Sequence, residues 1–215
     1  MYLPPAFAED RLEVRHGLLR AFPLGTLILS DDSGITADMV PFMLYPEEGS
    51  HGLGLLRAHV ARANPLWRKL AGSPQCLVLF HGPEEYVSPT WYATKKITHK
   101  VVPTWNYATV QARGAGRVVD EARWLRRQLD DLTAAQESRS PVPWELDDAP
   151  VDFLAATMKG IIGLEIDIAS LVGKWKVSQN RSTEDQRGVV DGLLAQQPPA
   201  EAMAALVREH IAAEK

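Results

Sequence analysis

The residue types best suited to chemistry crowd into residues 86–110, YVSPTWYATKKITHKVVPTWNYATV, where aromatic rings, hydroxyls and three lysines alternate. Rings supply flat faces on which a planar ligand stacks, while Ser88, Thr90, Thr94, Lys95 and Lys96 supply donors for an anionic group. Pro-Thr-Trp occurs at 89–91 and again at 103–105, each time followed by Tyr, Ala and Thr, with Asn106 as one extra residue in the second copy. Such a repeat is too short for an array. Two runs rich in Trp, Tyr, Thr and Val, joined by the polar residues 95–100, are expected to form neighbouring strands, each proline marking a strand start or an edge.

The plainer reading of Trp and Tyr in strands is cross-strand packing. Against it stands the cost of burying lysines among large rings without a partner for their charge. A phosphate-bearing aromatic molecule satisfies both sets of groups. A second candidate is the strand-to-helix junction of His59, Arg62 and Asn64, where free backbone N–H groups can receive an anion. There the plainer readings are a packed histidine, a solvated arginine and, for Asn64 before Pro65, a helix cap followed by a first-turn proline.

At 215 residues the chain is long enough to bury a sizeable core. It is expected to form one domain over residues 1–197, with an appended helical tail over 198–215. A formal net charge of -4 argues against a general electrostatic binder of nucleic acid. Cys76 is the only cysteine, so neither an intramolecular disulfide nor a cysteine-cluster metal site can form, which suits a reducing cytoplasm. The N-terminal MYLPPAFAEDR lacks the pattern of a signal peptide, and the apolar run 161–172 contains Glu165 and Asp167. No membrane span is expected. The pair Glu84 and Glu85 as catalytic carboxylates, or His51, His59, His81 and His99 as metal ligands, has no supporting spacing. Nucleotide loops and the common hydrolase motifs do not occur.

These groups need a scaffold. Asp10 with Glu13 opens a helix, and residues 24–30, a turn at 31–34 and residues 35–45 read as a hairpin whose second arm is disturbed by Pro41. Residues 76–82 read as a fully buried strand, and Gly114, Ala115 and Gly116 as a hairpin turn. Asp120 is expected to cap a helix with Ala122, Leu125, Leu129 and Leu132 on one face and a solvated charge run on the other. Residues 137–150 read as a linker or wrapping loop and 151–159 as a short helix. Leu164, Ile166 and Ile168 alternate against Glu165, Asp167 and Ala169 in a strand that Gly173 is expected to turn. Ser182 with Asp185 caps a further helix, and Pro198 with Pro199 starts a last one bearing Met203, Leu206, Val207, His210 and Ile211 on one face. Six or seven strands with hairpin turns and peripheral helices suggest a mainly β, α+β protein built on an antiparallel barrel or sandwich.

Taken together, MYLPPAF, HVARANP, FHGPEEYVSPTWY, KVVPTWNYATV, PW at 143, DAP at 148, GLEIDI, GKWKVSQN and GVVDGL resemble the FMN-binding negative transcriptional regulators of the PaiB type. The likeness runs nearly end to end up to Pro198. It departs at Thr90, where the family usually has serine, and at Leu24-Gly25 in place of Phe-Ala. Neither change removes a donor. The resemblance implies a split β-barrel of the FMN-binding type and a homodimer with FMN near the subunit interface, acting in negative regulation of gene expression. Mapped onto the matching motifs, the cofactor-binding set becomes His59, Arg62, Asn64, Ser88, Thr90, Trp91, Tyr92, Lys95, Lys96, Trp105, Asn106, Tyr107, Lys174 and Gln179. The FMN phosphate is expected on a subset of Arg62, Ser88, Thr90, Lys95 and Lys96, and the ring on some of Trp91, Tyr92, Trp105 and Tyr107. About half of those rings must pack instead, because neighbouring strand residues face opposite ways.

No set of acid, base and nucleophile stands out, which favours a regulatory flavin carrier over the alternative, a flavin-dependent oxidoreductase of the same barrel class. Direct DNA binding has little support. No helix-turn-helix signal occurs, and the last helix sets Glu201, Glu209 and Glu214 against Arg208 and Lys215. Any effect on transcription is therefore expected to be indirect.

Overall fold

The computed structural model of the chain describes residues 1–72 and 74–213; Glu214 and Lys215, counted above in the charge of the last helix, lie outside the described residues. In chain order the first elements are β1 (Ala8–Glu9), α1 (Leu12–Ala21), β2 (Leu24–Asp31), β3 (Gly34–Pro41) and β4 (Met43–Tyr45). They are followed by β5 (Leu55–Ala61), α2 (Leu66–Gly72), β6 (Gln75–Val87), α3 (Lys95–Thr98) and β7 (Thr104–Val119). Then come α4 (Ala122–Glu137), α5 (Val151–Met158), β8 (Ile161–Lys176), α6 (Thr183–Leu194) and α7 (Glu201–Ala213). The strands form one antiparallel sheet in the order β3-β2-β6-β7-β8-β5-β4, with β1 added on β8. The helices lie outside the sheet order, giving the α+β class of a split-barrel protein.

Contacts divide the residues into two compact units, the first made of residues 1–15, 81–110 and 172–215 and the second of 16–80 and 111–171. In the second unit, β2 and β3 form the expected hairpin, in register from Leu24↔Pro41 to Asp31↔Gly34, with Asp31 accepting from the Ser33 amide to close the turn. Pro41 ends the returning arm. Only Phe42 separates β3 from β4, yet these strands stand at opposite ends of the hydrogen-bonded order, so the strip curls until its two ends are one residue apart. Phe42 packs edge-on against Phe80 inside that curl, among fully buried Leu27, Leu56, Leu164 and Ile166.

Four expectations in this unit change. Residues 76–80 bury alternate side chains, so β6 has one covered face where two were expected. Gly114 and Gly116 sit inside β7, where a Cβ would fall 1.9 Å from the Asp167 carbonyl oxygen and 2.5 Å from Leu70; they permit close approach and make no turn. Asp120 does not cap α4, because the Arg62 guanidinium takes its carboxylate. The charged face of α4 is paired as well as solvated: Arg126 holds Asp130 and Asp147, and Asp131 accepts from the Tyr45 hydroxyl.

In the first unit, β1 pairs with the end of β8 through Ala8↔Lys174 and Glu9↔Gly173. Gly173 therefore continues the strand where a turn was expected, and a Cβ there would meet the Glu9 carbonyl oxygen at 3.0 Å. Ser182 caps α6 as expected, accepting from the Asp185 amide. Helix α7 lays Met203, Ala204 and Val207 on α6, so the apolar stripe of the last helix is covered within its own unit. Among the described residues no helix is long and apolar enough to cross a membrane.

Candidate functional site

The two Pro-Thr-Trp copies fold differently, and the residue before each proline is the reason. Ser88 has an extended backbone and accepts from the Thr90 amide at 3.2 Å, which makes it the cap of a 3-10 turn over Pro89–Trp91. Val102 has no such oxygen, and the second copy enters β7 at Thr104. The expected pair of strands is thus a turn and a strand.

That difference sorts the four candidate rings. Trp91 lies on α6, where a Cβ at Gly192 would be 2.2 Å from the indole and one at Gly188 would be 2.0 Å from the Trp91 carbonyl oxygen. Tyr92 is only 1% exposed. Both are packing residues of the first unit. Trp105 is 54% exposed and meets the exposed Tyr86 edge-on at 6.1 Å, while half-buried Tyr107 has the Lys174 ammonium 5.2 Å from its ring centroid.

The polar candidates sort in the same way. Ser88 and Thr90 share a hydrogen bond at 2.7 Å. Asp185, buried in the first turn of α6, accepts from both the amide and the hydroxyl of Thr94 and so fixes the start of the Lys95–Lys96 segment. Lys95 is half-buried and Lys96 exposed, and among the described residues neither forms an ion pair. Buried Asn106 bonds Ser178, and Gln179 folds back on its own strand end, receiving the Val177 amide and donating to the Trp175 carbonyl. Lys174 donates to the Tyr2 carbonyl at 3.1 Å.

Three residues that sequence reasoning left out of the site stand beside these. Lys176 donates to Thr104 and to the Trp105 carbonyl, Arg181 lies 4.6 Å from the centroid of the Tyr92 ring, and Ser178 holds a left-handed backbone with φ 67°. Strained non-glycine backbone of this sort tends to gather at functional sites. The signal was present, since residues 172–182 carry three cations and no carboxylate. Among the described residues Lys174, Lys176 and Arg181 form no ion pair. Burial, and after it the charges of Lys174 and Arg181, hold the Lys176 ammonium below the usual lysine range. The Tyr92 hydroxyl is buried beside Arg181, which can only donate to it, and among the described residues it has no acceptor. An unmet hydroxyl of this kind costs about 1–3 kcal/mol until something bonds it. Burial raises its pKa, an effect that the Arg181 charge opposes.

His59, Arg62 and Asn64 belong to the second unit and have partners there. His59 Nδ1 lies 2.7 Å from Gln128 Oε1. Arg62 grips Asp120 through two nitrogens and also donates to the carbonyls of Lys159 and Ile161. Asn64 Oδ1 accepts from the Leu66 amide at 2.9 Å, capping α2.

Against known proteins, residues 1–170 match the model of the family described as "Putative FMN-binding domain". The chain belongs to this FMN-binding family, and the likeness to proteins of the PaiB type extends over nearly its whole length. It is 36% identical to uncharacterized protein AN0679 of Emericella nidulans, covering 89% of this chain and 90% of that one. It is 27% identical to "Protease synthase and sporulation protein PAI 2" of Bacillus subtilis, with 98% of each chain covered. Among solved structures it resembles the conserved hypothetical protein Rv2991 of Mycobacterium tuberculosis, with a TM-score of 0.56, 12% identity, and 82% of this chain and 90% of that one covered. The FAD and heme binding protein of Mycobacterium smegmatis matches at a TM-score of 0.54 and 16% identity, over 79% of this chain and 73% of that one. These two likenesses establish the fold.

FMN is the cofactor of the family. The residues present fit it: among the described residues the first unit offers cations without ion-pair partners, a buried hydroxyl lacking an acceptor, and an exposed aromatic pair. Those are the donors and the ring faces that a phosphorylated planar molecule requires.

Proposed function

We propose that this protein is a cytoplasmic FMN-binding homodimer that acts in the negative regulation of gene expression. The observation that carries the reading is the meeting, in one unit, of Lys174, Lys176 and Arg181 with the exposed Tyr86 and Trp105 rings. FMN, when bound, supplies a ring that takes up and returns electrons. The chain's own part is to hold it. Trp105 and Tyr107 offer ring faces, Lys95, Lys96 and Lys174 offer charge, and Asn106 and Gln179 hold the strand ends in place.

The dimer reading is supported by apolar surface in the first unit: Tyr2, Ile97, Val102 and Trp105 are all exposed. Patches of that kind are commonly covered by a second copy. Near full-length likeness to the Bacillus protein, whose name ties it to protease synthesis and sporulation, supports the regulatory part. Regulation then runs through a protein partner or a flavin-linked metabolite, because α7 turns Glu201 and Glu209 outward beside Arg208 and lacks the charge of a recognition helix.

Titrating the purified protein with FMN and following the visible spectrum tests the first claim, and light scattering at micromolar concentration tests the second. A perturbed flavin spectrum and a dimeric mass are expected. An unperturbed spectrum or a monomeric mass overturns the corresponding part. NADPH oxidation by the FMN-loaded protein would move the assignment to an oxidoreductase.

A further inference from the structure

Tyr92, Thr104, Asn106, Lys176, Ser178, Asn180 and Arg181 line a small cleft at the end of β8. Its volume of ≈ 40 Å³ is too small for an isoalloxazine ring. A single water needs about 10–15 Å³, so the space has room for a small cluster of oxygens. Every lining side chain carries a hydrogen-bonding group, two are cations, and none is a carboxylate. The Asp185 carboxylate close to Tyr92 is taken up by the amide and hydroxyl of Thr94. The Tyr92 residue is 1% exposed, and its hydroxyl, which Arg181 can only donate to, has no acceptor among the described residues. Asn106 and Ser178, both buried, bond each other and hold the floor, and the left-handed backbone of Ser178 shapes the corner from which Arg181 returns to the Tyr92 ring.

We propose that this cleft is a phosphate seat, in which Arg181 and Lys176 supply charge and the Tyr92 hydroxyl completes the donor set. It rests on the flavin reading only for the source of the phosphate, which is either the phosphomonoester of FMN or free inorganic phosphate. The assignment shifts the anion from Ser88, Thr90, Lys95 and Lys96, where the motifs alone put it, to the end of β8. Ser88 and Thr90 already bond each other, whereas the cleft has a donor without a partner. Tetrahedral oxyanions suit it better than carboxylates, because its donors converge from β7, from β8 and from the turn that follows β8.

The test compares FMN with riboflavin, which lacks the phosphate, by fluorescence titration of wild type, Arg181→Gln and Tyr92→Phe. Wild type should prefer FMN, and Arg181→Gln should weaken FMN by about 10- to 100-fold, the loss of one charge-assisted hydrogen bond, with riboflavin unchanged. Tyr92→Phe should lose part of the same preference without lowering the melting temperature of the unliganded protein, a result that a purely structural tyrosine would not give. In parallel, wild type and Arg181→Gln are melted in inorganic phosphate against chloride at equal ionic strength. Phosphate-specific protection that disappears in Arg181→Gln supports the seat even if neither flavin binds, an outcome that would sink the flavin reading alone. If FMN preference and phosphate protection both survive Arg181→Gln, or if wild type shows neither, the seat is overturned.

Discussion

Lys176 Nζ donates to the main-chain carbonyl of Trp105 at 2.6 Å, tying the end of β8 to the residue that presents an exposed indole on β7. The bond joins the two halves of the candidate site, charge and ring. Because burial and the neighbouring charges of Lys174 and Arg181 lower the pKa of Lys176, the folded protein holds fewer protons than the unfolded chain between that lowered value and 10.5. Stability from this group therefore rises with pH through the window. FMN affinity should run the other way, because the bound anion needs the ammonium form. Titrations at stepped alkaline pH should show affinity falling before 10.5, and Lys176→Met should flatten the profile; a wild-type profile that is already flat removes Lys176 from the site.

Gly192→Ala should loosen the turn that carries Trp91 and Tyr92. The new methyl would stand 2.2 Å from the indole, and neither the helix nor the capped turn has slack to absorb it. Overpacking of this kind costs about 1–3 kcal/mol, readable as a lower urea midpoint. A midpoint equal to wild type would mean that Trp91 is free to move and is no packing residue.

Acid should act through Glu165 in the second unit. Burial would raise its pKa, but hydrogen bonds from Arg57, Arg117 and Trp124 outweigh this and hold it below the usual glutamate value of 4.5. A carboxylate lowered in this way stabilises the fold above 4.5, and the contribution is lost as pH falls through the folded value. Glu165→Gln takes one of two carboxylates from the nearly buried Arg57, which keeps Glu48 at 2.5 Å, and weakens the charge-assisted hydrogen bonds from Arg57 and Arg117; it should cost about 1.5–3 kcal/mol and blunt the acid dependence. Chemical denaturation between pH 3 and 7 would show both effects, and equal acid slopes in the two proteins would contradict the assignment.

Local signals in the sequence proved reliable where a short-range bond decides the structure. The β2–β3 turn, the Ser182 cap and the Asn64 cap are each fixed by a side chain bonding a main-chain amide two or three residues on. Reading failed where a distant residue decides. Gly114, Gly116 and Gly173 look like turn residues, yet they lie within strands because another strand or a helix comes too close for a side chain. Asp120 looks like a cap and is claimed by Arg62, 58 residues away in sequence. In the site, the rings and the Lys95–Lys96 pair were legible as types. Arg181 was legible only as one of three cations in residues 172–182; its place over Tyr92 is something no spacing reveals.

Duplex DNA should bind weakly, and the binding should vanish as salt rises. The outward face of α7 mixes Glu201 and Glu209 with Arg208, and the proposed reading commits the cations of the first unit to FMN. A mobility shift on the neighbouring promoter, with and without FMN across a salt series, checks this. Nanomolar, promoter-selective binding at physiological salt would overturn the indirect route.

The central claim, that FMN is held by the first unit, is tested most directly by amide hydrogen exchange with and without saturating FMN. Exchange should slow at residues 88–107 and 172–182. Unchanged exchange in both stretches, with protection confined to residues 59–64, would contradict the account and return the cofactor to the His59, Arg62 and Asn64 junction.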